Sequence, residues 1–151
     1  MGVVTYEQAN LLLRLYEMRR EARLREARAW FAAHFNARTP EEISQKYPQG
    51  TEENASFRMV LSYWEMAASM ANRGLIDDEF FFENSGECFF VYDRIRDLLP
   101  GMRAAYLNPH AFSNLESLCK RMEGWQEKRA PGSVAAMRAR RQAAAAKAES
   151  A

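Results

Sequence analysis

Three groups of side chains in this sequence have the types and spacing to do chemistry. The first is Tyr63-Trp64-Glu65, a phenol, an indole and a carboxylate inside an otherwise apolar stretch. Such a set can line a small-ligand pocket, or serve acid/base chemistry if a partner group and a pocket are present. The second is aromatic: Phe81, Phe82 and Phe90 do not all fit on the inner faces of their helices, so they form a candidate patch for a partner or a second copy of the chain. Burial of these rings by other helices is the competing reading. The third is basic: Arg138, Arg140 and Arg141 have no acidic neighbours nearby in sequence and could contact phosphates or anionic lipid headgroups. The segment is short and lacks aromatic residues for stacking, so a solubilising extension is its expected role.

Most other familiar chemistry is missing. The sequence has no glycine-rich phosphate loop, Cys-x-x-Cys pair, His-Glu-x-x-His or nucleophile elbow, and His34 and His110 stand alone. No metal site and no cofactor are expected. Asp77, Asp78, Glu79, Glu83 and Glu87 gather where acids in first helical turns favour the positive helix end. Cys88 and Cys119 fall on apolar helix faces, where an unpaired thiol packs as a small hydrophobe.

The 151 residues fit one domain, 48% hydrophobic and 27% charged, the balance of a globular chain that folds in water. No apolar run approaches the ~20 residues of a membrane span, and the N-terminus lacks the plan of a secretory signal, so a cytoplasmic protein is expected. Net charge is +1 but unevenly spread: residues 1–127 carry −4 and residues 128–151 carry +5.

The elements that must position these groups are all helical. Thr5-x-x-Gln8 reads as a capping box, with Gln8 reaching back to the cap, and opens a helix that no glycine or proline stops before about Phe35. That helix would be roughly 45 Å long, apolar at both ends and a solvated rod through "RREARLREAR", where arginines alternate with glutamates. Thr39-Pro40 opens a short helix to Tyr47, and Thr51 opens a central helix that Asn72-Arg73-Gly74 closes, with Leu75 placed for the accompanying apolar contact. Asp77 caps Asp78 to Asn84. Further helices are expected over about 87–99, ended or kinked by Pro100-Gly101, and over about 109–128 behind Asn108-Pro109. Ala130-Pro-Gly-Ser133 is a linker before an Ala/Arg-rich tail with little apolar face, expected to fray or to be an exposed helix.

On the central helix the apolar residues cover most of the circumference and leave a polar seam of Arg58, Ser62, Glu65, Ser69 and Asn72. The expected reading is that the seam faces water. The alternative is that it faces a neighbouring helix or a cavity, where Glu65 would need a cationic or hydrogen-bonding partner.

Trp64-Glu65, Arg73-Gly74-Leu75-Ile76-Asp77 and Asn114-Leu115-Glu116-Ser117-Leu118 together resemble a family of uncharacterised all-helical bacterial proteins, a domain of unknown function, over roughly residues 55–125. The resemblance implies the fold and a bacterial origin, and no activity. Many members of that family carry an N-terminal membrane segment before a charged helix, and the first helix here has none. The reading is an all-α, irregular bundle over 1–129 with a long first helix, followed by the linker and tail over 130–151. A non-catalytic interaction or assembly subunit, meeting another protein or itself, is the leading functional expectation. A ligand-binding bundle or enzyme with a pocket at Tyr63, Trp64 and Glu65 comes second, and tail-mediated nucleic-acid or membrane-surface contact third.

Overall fold

In the computed structural model, which describes residues 2–151, the described residues form nine helices and no strand. They are α1 (Tyr6–Arg19), α2 (Ala22–His34), α3 (Pro40–Lys46), α4 (Glu52–Asn72), α5 (Asp78–Asn84), α6 (Gly86–Ile95), α7 (Leu99–Ala105), α8 (Ser113–Arg129) and α9 (Ser133–Ser150). The central helix is α4. It packs against α2 on one side and α8 on another, with α6 and then α9 stacked on α8. Its buried residues include Phe57, Val60, Leu61, Trp64, Ala67, Ala68 and Ala71, the pattern of a helix touched by several neighbours.

Helix starts follow local chemistry. Thr5, Thr39 and Thr51 each accept from a first-turn amide, and Asp77 accepts from the Phe80 amide. The close of α4 is a Schellman motif: Gly74, at φ +75°, donates to Ala71 O at 2.9 Å and Leu75 donates to Met70 O at 3.1 Å. Leu75 itself stays half exposed. Gln8 does not reach back to its cap. Its Oε1 accepts from the Asp77 amide at 3.0 Å and so ties α1 to the α4–α5 connection.

The expected 6–35 rod is two helices. The chain turns at Arg20-Glu21, where Glu21 adopts an extended ψ and its carboxylate accepts from the Arg23 and Leu24 amides, both at 3.0 Å. Those hydrogen bonds hold the Glu21 carboxyl below its usual range. Arg28 locks the corner from inside: Nη1 donates to Arg19 O at the end of α1, while Nε and Nη2 grip Glu87 of α6 at 2.8 and 2.6 Å. This bidentate pair raises the Arg28 pKa. What was expected as a solvated middle instead buries Leu24 and Ala27 against α4, and Arg23 reaches Ser56 and Glu52.

Three later boundaries also move. The chain leaves α6 at Ile95, and Pro100 sits in the first turn of α7, where a missing amide costs little. Residues 108–112 form turns, with Phe112 in the left-handed region at φ 58°, so α8 begins at Ser113 and not at Pro109. The tail is a helix, α9, held against the bundle.

Candidate functional site

Glu65 is half-buried and points at the start of α8. Its Oε1 accepts from the Asn114 backbone amide at 3.2 Å and the Asn114 side-chain amide at 3.0 Å, and Oε2 accepts from the Leu115 amide at 2.8 Å. Phe112 supplies no side-chain cap, so a carboxylate 49 residues earlier in the chain does that work, at the end of a helix that attracts negative charge. Asn72, two turns further along the seam, donates to Asn114 O and Oδ1, and its own Oδ1 accepts from Arg121. Arg121 also grips Asp78 at 2.7 and 3.0 Å. Glu65 and Asn72 therefore face α8, which corrects the expectation of water for this half of the seam, while Arg58 and Ser62 stay exposed. Glu65, the residues flanking the Arg-Gly-Leu-Ile-Asp turn and the Asn-Leu-Glu segment are the parts of one structural joint.

Tyr63 and Trp64 turn the other way. They form one wall of a cavity of about 260 Å3 roofed by α1, with Leu12, Leu15, Tyr16 and Arg19 above and Phe81, Asn84 and Ser85 at the side. Tyr63 Oη donates to Leu15 O, which pins α1 to α4. Burial pushes the Tyr63 phenol up to about 12, so it stays a donor. Trp64 is 1% exposed and its Nε1 has no hydrogen-bond partner. Tyr63, Trp64 and Glu65 are consequently not one site: two residues line a cavity and the third caps a helix.

The expected aromatic patch is not a surface feature. Phe81 and Phe82 are buried, the first against the cavity wall and the second beside Trp125. Phe90 is half-buried, with the Arg94 guanidinium 5.5 Å from its ring centre. Exposed apolar side chains lie elsewhere, and sequence reading missed them as a group: Val3, Tyr6, Leu13, Tyr16 and Met18 all stand out from α1 and its approach. Tyr6, Leu13 and Tyr16 fall on one stripe of that helix, at spacings of seven and three. The helix is thus apolar on two sides, one against the bundle and one outward.

Two of the three tail arginines have partners. Arg138 donates to Asp93 at 2.8 Å and bidentately to Glu123 at 2.9 and 3.1 Å, and Arg141 donates to Asp93. The Asp93 side chain is wholly buried and also meets Arg96 at 3.2 Å. Arg138 is held protonated by these carboxylates. Arg140 is exposed and has no acidic partner among the described residues. The tail was expected to be a solubilising extension, with phosphate contact as the lesser reading, and the two arginines flanking Arg140 are instead the latch that holds α9.

Cys88 and Cys119 are buried, with their sulfurs 3.7 Å apart, and burial pushes the Cys88 thiol up. Among the described residues no cluster of three or more His, Cys, Asp or Glu side chains is arranged to hold a metal ion, and no helix is long and apolar enough to cross a membrane. Residues 4–122 match the family model DUF4760, a domain of unknown function, so the match spans α1 to most of α8 and stops before α9. No curated protein and no solved structure matches the chain.

Proposed function

The chain belongs to the DUF4760 family, and we propose that it is a non-catalytic assembly subunit that pairs with a second copy of itself through the outer face of α1. The observation that carries this reading is the exposed stripe of Tyr6, Leu13 and Tyr16 on a helix whose other face is already seated. Two tyrosines around a leucine are the residue types that anchor interfaces, and the spacing suits helix-on-helix packing. Charge along the helix favours an antiparallel copy. Glu7 lies near its start and the exposed Arg20 at its end, so two antiparallel helices set opposite charges against each other. The Glu65 carboxylate is occupied by helix capping, which supports a structural rather than a catalytic part for it.

A cysteine at the centre of the stripe tests the proposal. Leu13→Cys is expected to give a disulfide-linked dimer under mild oxidation, because both native cysteines are buried and compete poorly. Arg14→Cys, on the same helix but off the stripe, serves as the control. Equal crosslinking of the two variants, or none in either, overturns the self-pairing reading.

A further inference from the structure

The cavity under α1 has features that its neighbours in the fold do not need. Its walls are apolar and aromatic, from Leu12, Leu15, Tyr63, Trp64 and Phe81. Its volume of about 260 Å3 lies just below the roughly 300–1,000 Å3 of pockets for drug-sized molecules, so it suits a compact occupant. One charged group lines it. The Arg19 guanidinium is 4.9 Å from the Tyr16 ring centre and 5.7 Å from that of Trp64, and it has no carboxylate within ion-pair distance among the described residues. Of the other cations near this region, Arg28 holds Glu87 and Arg23 reaches Glu52, whereas Arg20 lies 5.5 Å from the Tyr16 ring centre outside the cavity lining. Trp64 is buried behind this wall, and its Nε1 finds no acceptor in the fold. A buried donor without a partner is costly and rare in a folded chain.

We infer that this cavity binds a small carboxylate with an apolar body, the carboxylate meeting Arg19 and the body lying against Leu12 and Tyr16, with Trp64 behind them. A guanidinium supported by two rings pairs with a carboxylate in a site partly shielded from water, where charge-assisted hydrogen bonds are strongest. The apolar body replaces water against aromatic walls. An alkyl acid and an aryl acid both have this chemistry. Leu13 and Tyr16 line this cavity as well as standing on the outer stripe of α1, but occupancy needs no second copy of the chain and is read by ligand titration.

The test is calorimetric titration of the full chain with octanoate and, separately, with 2-naphthoate to millimolar concentration. It is read alongside the Trp64 indole N–H signal in a nitrogen–proton NMR spectrum. Saturable binding of at least one acid is expected, with a shift of the Trp64 indole signal, and the acid that binds shows whether an alkyl or an aryl body fits. Arg19→Gln is expected to weaken binding about tenfold or more, the loss of one charge-assisted hydrogen bond, without unfolding the chain, because the Arg19 side chain makes no hydrogen bond in the fold. Leu12→Trp, which fills the cavity, is expected to abolish it. No saturable binding of either acid, unchanged affinity in Arg19→Gln, or equal affinity for the neutral n-octanol would overturn the inference.

Discussion

Removing the Glu65 carboxylate exposes how much of the α4–α8 joint depends on one side chain. In Glu65→Ala three donors lose their acceptor: the Asn114 backbone and side-chain amides and the Leu115 amide. Loss of an N-cap costs about 0.5–2 kcal/mol, and loss of negative charge at a helix start costs about 0.3–1 kcal/mol more. Glu65 is half-buried, so water can reach part of the gap and the upper limits do not apply in full. A destabilisation of about 1.5–2.5 kcal/mol is expected on these grounds. Glu65→Gln should lose less, about 1–2 kcal/mol, because one oxygen remains while the amide NH2 faces donors it cannot satisfy. Urea unfolding followed by far-UV circular dichroism measures both, with hydrogen exchange at Asn114 and Leu115 as the local readout. A loss below about 0.5 kcal/mol for Glu65→Ala, the size of an ordinary surface substitution, would refute the capping argument.

Three further outcomes follow from other contacts. A Cβ on Gly101 would sit 2.3 Å from Cγ of Pro40, a ring that cannot swing aside, so Gly101→Ala should cost about 1–3 kcal/mol in thermal unfolding, and Pro40→Ala in the same chain should restore much of it. Asp93→Asn removes the charge that gathers Arg96, Arg138 and Arg141, and hydrogen exchange should then show early loss of protection across residues 133–150 while α4 stays protected. Tyr63 titrates at about 12 in the fold against about 10 when unfolded, so its contribution to stability is complete below pH ~10 and falls as pH rises from there through 12. Ultraviolet titration should find one phenol that ionises last, and its replacement in Tyr63→Phe should remove that component.

Much of this fold could be read from local chemistry. Thr5, Thr39, Thr51 and Asp77 cap helices because a hydroxyl or carboxylate meets the first-turn amides wherever the rest of the chain goes. Gly74 closes α4 for a similarly local reason, its left-handed backbone. The features that escaped depend on partners far away in sequence. The break at Arg20-Glu21 carries no glycine or proline, but it has a signal in the apolar phase. Leu15 and Leu24 are nine residues apart, about two and a half turns, so a continuous helix would put these two buried side chains on opposite sides. Glu65 was visible as an acid on a seam, yet its donors lie 49 and 50 residues on. Asp93 looks like an exposed acid near Phe90 until Arg138 and Arg141 arrive from α9. Phe81 and Phe82 lie next to each other and so point in different directions from α5; burial of both requires α5 to be wedged among neighbours, which periodicity on one helix does not convey.

Self-pairing through α1 is tested most directly by native mass spectrometry of the untagged chain beside its Leu13→Glu variant. The wild-type chain is expected at twice its 17.4 kDa mass, and the variant, with a charge in the centre of the stripe, at 17.4 kDa alone. A wild-type chain that stays at 17.4 kDa across micromolar concentrations, or a Leu13→Glu chain that dimerises as well as the wild type, would contradict it.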